Sequence, residues 1–137
     1  MRTAVDSNIF MDLIAGTEAE ATLSEGALRR ARVEGQIAIS MIAYAELASR
    51  FQQKSSLDAF LKAFDCHVER TTDDSAYQAG RLFQAYRKRG GERSRILADF
   101  LIAGHALEHA DRLLTRDRGF YGTSFPKLKV IQPKNFQ

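Results

Sequence analysis

Short apolar runs alternate along this chain with longer stretches in which apolar side chains return every three or four residues. The first pattern suits buried strands, the second helices that bury one face. Thr3-Ala4-Val5, Ile37-Ala38-Ile39, Cys66-His67-Val68, Arg112-Leu113-Leu114-Thr115 and Leu128-Lys129-Val130-Ile131 are the strand-like segments. Between the first two, helical spacing predicts a short helix through Ile9, Phe10, Leu13 and Ile14 that ends at Gly16. A longer helix from Glu18 to Arg32 should bury Leu23, Ala27, Leu28 and Ala31 and close at Gly35. Ser40 can cap a helix through Tyr44, Leu47, Ala48 and Phe51, and Ser55 or Ser56 one through Leu57, Phe60, Leu61 and Phe64. Thr72 or Asp73 can cap a long helix through Ala76, Ala79, Gly80, Phe83 and Tyr86, and a last helix runs from Leu97 to His109.

Strands that alternate with helices imply right-handed crossovers. The expected fold is therefore α/β, a three-layer α/β/α sandwich around a central, mostly parallel five-stranded sheet. At 137 residues the chain is expected to form a single domain, 1–137. Ligands of such sheets collect in the crevice beyond the carboxyl ends of the strands, so chemistry is sought there.

The stretch Ile96 to Ala106, ILADFLIAGHA, carries a carboxylate inside a nearly continuous apolar run. On a helix Asp99 shares a stripe with Ile96, Ile102, Ala103 and Ala106, a face expected to be buried. An isolated ionised carboxylate is costly on a buried face, so Asp99 needs a partner, a metal or a cleft. Three further acids can reach the same crevice. Asp6 follows the first strand, Asp117 follows the fourth by two residues, and Glu46 lies one turn inside the helix after the second strand. If the first and fourth strands are neighbours, the four carboxylates can converge.

Each acid also has an ordinary reading. Asp6 could cap a helix, Glu46 could pair with Arg50, Asp117 could be a turn residue before Gly119, and Arg95 is the nearest helical cation to Asp99. Taken together, carboxylates in one cleft repel each other unless protons or cations offset them. Mg2+ or Mn2+ suits an oxygen-only donor set and leaves room for substrate phosphates. Acids without His or Cys thus favour phosphodiester chemistry over zinc chemistry.

Composition and charge add four points. Hydrophobic residues at 45% and charged residues at 27% are those of a soluble globular protein. No apolar run approaches the ~20 residues of a membrane span and no signal-peptide stretch is seen, so a cytoplasmic location without a membrane partner is expected. Cys66 is the single cysteine; it reads as core, because its neighbour His67 would point to the other face of a strand and could not serve it as a base. The net charge of +3 is concentrated between Arg81 and Arg95, RLFQAYRKRGGERSR, where six cations face the one acid Glu92. Such a run is either a solvated helix end before Gly90-Gly91 or a surface for a phosphate backbone.

Four stretches, AVDSNIFMDLI, SMIAYAELASR, LADFLIAGHALEHAD and LLTRDRGFYG, followed by LKVIQP, resemble in content and order the PIN-domain ribonucleases, and among them the VapC-type toxins of bacterial and archaeal toxin–antitoxin pairs. The resemblance spans the whole chain. It implies a PIN-like fold in which Asp6, Glu46 and Asp99 are the catalytic, metal-binding acids and Asp117 a fourth, less strictly required one. It also implies that Asn8 and Thr115 support the site; Ser7 stands where Thr is commoner and keeps the hydroxyl. The implied reaction is Mg2+- or Mn2+-dependent hydrolysis of RNA phosphodiesters by activated water. The implied partners are an RNA substrate, a cognate antitoxin that places a cationic side chain at the acids, and a second copy of the chain in a homodimer. With such a substrate, Arg87, Lys88, Arg89, Arg93 and Arg95, joined by Arg116 and Arg118, become a phosphate track.

Two other readings compete. A domain of this kind could bind RNA or a partner without catalysis. His105-Ala106-Leu107-Glu108-His109 also matches H-x-x-E-H, a zinc-peptidase pattern. His105 lies about 120° round the helix from Asp99, however, so these histidines could not share the acidic site and are expected on a polar helix face.

Overall fold

All five expected strands join one sheet in the computed structural model, which describes residues 1–136; Gln137, the last residue of the expected domain, lies outside the described residues. In chain order the elements are β1 (Arg2–Val5), α1 (Ser7–Ala15), α2 (Glu18–Glu34), β2 (Gln36–Ser40), α3 (Met41–Ala48), α4 (Lys54–Ala63), β3 (Cys66–Glu69), α5 (Asp73–Lys88), α6 (Leu97–His109), β4 (Arg112–Leu114), α7 (Arg118–Ser124) and β5 (Val130–Ile131), closed by a 3-10 turn at Pro133–Phe136. The sheet order is β3-β2-β1-β4-β5, and all four pairings are parallel. Every carboxyl end therefore opens on the same rim.

The strands that matter most lie side by side. Val5 stands opposite Leu114 in the register of β1 and β4, and the Asp6 N–H donates to the Leu114 carbonyl at 2.9 Å. Asp6 and Thr115 are thereby brought abreast at the rim. Ala4, Val5, Ile37, Ile39, Leu113 and Leu114 are all buried, which is why these strands read as continuous apolar runs instead of alternating ones.

Two aromatic groups pack the helices down. On one side of α1, Phe10 meets Phe60 and Phe64 edge-on, with ring centroids 5.7 and 5.9 Å apart. On α6, Phe100 lies among Phe83, Tyr86, Phe120 and Phe125, at 5.3 to 5.7 Å. Burying one such ring is worth roughly 1.5–3 kcal/mol, and edge-on pairs add to it. Helices α5 and α6 approach closely because position 104 has no side chain: a Cβ there would stand 3.1 Å from Ser75 Oγ. Caps fix the helix starts. Thr17 and Glu20 form a reciprocal capping box, the Ser40 hydroxyl accepts from the Ala43 N–H, and that of Thr72 from the Ser75 N–H.

Several expectations shift. Helix α3 stops at Ala48, and Phe51 leaves it to pack on Phe60 at 5.4 Å. Helix α4 starts at Lys54 with Gln53 at its cap position, so neither Ser55 nor Ser56 is the cap. Leu23 faces outward and Ser24 takes its place inside, because the Ser24 hydroxyl donates to the buried Asp12 at 2.5 Å. Ile96 is 56% exposed, so the stripe that carries Asp99 is buried only from Phe100 onward. His105 is buried instead of lying on a polar face, with Nε2 3.0 Å from Glu69 Oε1; burial holds its pKa below the usual histidine value. Cys66 is buried as expected, and burial pushes its thiol pKa up. The unanticipated helix α7 contains Gly119 and Gly122, which weaken its helical propensity; Phe120 and Tyr121 anchor it to the aromatic group. Among the described residues, no helix is long and apolar enough to cross a membrane.

Candidate active site

Asp6 ends β1 and is 5% exposed, the most buried of the four candidate acids. Thr115 Oγ1 donates to its Oδ2 at 2.8 Å, and Asn8 Nδ2 approaches the same oxygen at 3.3 Å and Thr115 Oγ1 at 3.2 Å. Asn8 Oδ1 in turn accepts the Arg116 N–H, and Thr115 Oγ1 accepts the Asp117 N–H at 3.0 Å. Asn8 and Thr115 therefore tie the turn after β1 to the turn after β4. Asp6 occupies the cap position of α1, but its side chain makes no cap bond. Burial raises its pKa to about 6; the Thr115 bond works against that rise, and the charges of Glu46 and Asp99 add to it.

Glu46 comes in from α3. Its Oε1 accepts the Ser7 hydroxyl at 2.8 Å, and no ion pair with Arg50 forms among the described residues. Ser7 thus holds the second acid as Thr115 holds the first.

Asp99 and Asp117 are placed differently. Asp99 is half-buried, and its Oδ2 accepts the Ile96 N–H at 3.0 Å, a bond that caps the start of its own helix. The side chain expected to be the most unusual acid therefore has a local structural task, and Asp6 is the one out of water. Asp117 lies at the cap position of α7 without a side-chain cap bond and is gripped by Arg95 through both guanidinium nitrogens, Nη1 on Oδ2 and Nη2 on Oδ1 at 3.1 Å.

One residue near the acids has no role assigned from the sequence. Tyr121 is 1% exposed, and its phenol is pushed far up by burial and then by the charges of Asp6, Asp99, Asp117 and Glu46. The sequence signal was an aromatic four residues after Asp117, one helical turn along.

The donor set is all oxygen, as a hard divalent cation prefers, and Asp6 has hydroxyl and amide neighbours but no ion pair among the described residues. In chemistry the residues fit such an ion. Even so, among the described residues no three His, Cys, Asp or Glu stand close enough to hold a metal ion as they are. Two of the acids are turned elsewhere, Asp117 to Arg95 and Asp99 to its helix start.

The expected phosphate track divides. Arg87, Lys88, Arg89, Arg93 and Arg118 are exposed, with Arg87 over Phe83 and Arg89 over Tyr86, the rings that pack against Phe100 next to Asp99. Arg95 belongs instead to the acid cluster. Arg116 turns away from it, with Nε 3.0 Å from the buried Asp12 and Nη1 3.4 Å from Glu20, so its charge is already committed. His105 spends Nε2 on Glu69, which leaves the H-x-x-E-H pattern without support as a zinc site.

The PIN domain family model matches residues 3–126. A search of the curated proteins finds no match. Among solved structures the chain is similar to VapBC2 from Rickettsia felis bound to a DNA fragment from the promoter (23% identity, 96% of this chain and 98% of that one, TM-score 0.68). It is also similar to a toxin–antitoxin complex from Klebsiella pneumoniae (24%, 96% and 97%, 0.67) and to VapBC-1 from nontypeable Haemophilus influenzae (20%, 98% and 99%, 0.71).

Proposed function

Since the chain belongs to the PIN domain family, we propose that it is a divalent-metal-dependent endoribonuclease, the VapC-type toxin of a toxin–antitoxin pair. The observation that carries this reading is the hydrogen-bonded set at the carboxyl rim of β1 and β4, where the Thr115 hydroxyl joins Asp6 to the Asp117 N–H and Ser7, the residue after Asp6, donates to Glu46. A Mg2+ or Mn2+ ion, when bound, would offset the repulsion among these acids and activate water for attack on an RNA phosphodiester.

The chain's own residues do the rest. Thr115 and Asn8 hold Asp6, and Ser7 holds Glu46, so these two acids are oriented before any ligand arrives. The exposed Arg87, Lys88, Arg89, Arg93 and Arg118 are the cations offered to the RNA backbone, and Arg87 and Arg89 stack on Phe83 and Tyr86, which pack against Phe100 in the first turn of α6. An antitoxin that carries a cation to the acids and a second copy of the chain are the partners this reading requires; the similar solved structures described above include VapBC and toxin–antitoxin complexes. The cytoplasm is where such an activity would meet its RNA.

The test is RNA cleavage by the purified chain. Hydrolysis that needs Mg2+ or Mn2+ and disappears in Asp6→Asn and Asp99→Asn supports the proposal. RNA binding without cleavage at any metal concentration would replace it with the non-catalytic reading.

A further inference from the structure

Arg95 stands apart from the other cations of the basic run. Its side chain is 24% exposed, its guanidinium grips Asp117 through two nitrogens, and its Cζ lies 4.1 Å from the centroid of Phe120. A planar fork stacked on an aromatic face is the arrangement in which arginine loses least freedom per bond made. The residue so held is joined to the acid site through its backbone, because the Thr115 hydroxyl that accepts the Asp117 N–H donates to Asp6.

We propose that Arg95 is a resident counter-ion of the acid cluster, which competes with a divalent cation for Asp117. The inference rests on the metal-dependent reading above. It accounts in part for a site of four acids that offers no ready group of three: Asp117 is occupied by the chain's own cation, and Asp99 by the start of its own helix. Asp117 can turn to a metal only when the two-nitrogen grip opens, so part of the metal's binding energy is spent on opening it.

Calorimetric titration with Mn2+ alone tests this on the wild type, Arg95→Met, Arg95→Lys, Asp117→Asn and the double variant Arg95→Met/Asp117→Asn. Arg95→Met should bind Mn2+ about three- to tenfold more tightly, as loss of one charge-assisted pair predicts. Arg95→Lys, which keeps the charge but not the fork, should fall between it and wild type. In the Asp117→Asn background, Arg95→Met should have no effect. An equal gain in both backgrounds would reduce Arg95 to a background charge and overturn the proposal, as would unchanged or weaker binding by Arg95→Met and Arg95→Lys that unfold like wild type without metal. Failure of every protein to bind Mn2+ would overturn the metal-dependent reading itself, a result distinct from the other two.

Discussion

The Thr115 hydroxyl donates to Asp6 at 2.8 Å while accepting from the Asp117 N–H at 3.0 Å, so one side chain links two acids that lie 111 residues apart in sequence. Thr115→Val keeps the shape and deletes both bonds, together with the one from Asn8 Nδ2 at 3.2 Å. The buried Asp6 carboxyl and the Asp117 N–H would lose their partner, at a cost of about 1–3 kcal/mol in denaturant unfolding. The Asp6 pKa should rise further, because the bond now holds it down, and the acid limb of metal-dependent cleavage should move to higher pH. Thr115→Ser should behave like wild type in both measurements.

Metal-free stability should carry two opposed pH dependences. Asp6 has a folded pKa of about 6 against an ordinary 3.8, so the folded state holds an extra proton between these values and stability falls as pH rises through that window. The swing attributable to Asp6 is about 2–3 kcal/mol, at 1.36 kcal/mol per unit. His105 works the other way. Its folded pKa lies below the ordinary 6.5, so the neutral ring is favoured and stability is lost as pH drops below that value. Melting curves from pH 4 to 7 should show Asp6→Asn without the first dependence and His105→Gln without the second. Unchanged profiles in both variants would refute the assignment.

Arg116 and Arg118, two residues apart, should separate stability from RNA binding. Arg116 pairs with Asp12, which is 2% exposed, and Arg118 is exposed. Arg116→Ala strands a buried carboxylate; discounted for the half-exposed guanidinium, the loss should be about 1–3 kcal/mol with little change in the salt dependence of RNA binding. Arg118→Ala should leave unfolding unchanged and lower the salt slope by about 0.7 for single-stranded RNA.

The alternation of apolar runs and helical spacing was enough to place all five strands and the six longer helices, because in a parallel sheet burial is written locally as runs such as Ile37-Ala38-Ile39. The neighbouring of β1 and β4, on which the candidate site depends, was legible only as a condition, since nothing local encodes strand order. Asp6, Glu46 and Asp117 were readable from their places after strands and Asp99 from the apolar run around it; the partners of charged side chains were not. Arg95 and Arg116 look alike in sequence, and only tertiary packing sends one to Asp117 and the other to Asp12. Helix α7 escaped notice for a related reason: its two glycines hide a segment held by Phe120 and Tyr121 packing, not by propensity.

The ring of aromatics round Phe100 has one more consequence. Asp6 and Glu46 are tied to the carboxyl rim of β1 and β4 through Thr115 and Ser7, whereas Asp99 and Asp117 lie at the starts of helices seated against Phe83, Tyr86, Phe120 and Phe125. Polar bonds fix where each carboxylate is held, while the aromatic packing fixes where the helices that carry Asp99 and Asp117 begin. A change of ring size at Phe83 or Phe125 should therefore shift Asp99 and Asp117 relative to Asp6 and Glu46 without touching a polar bond of the site.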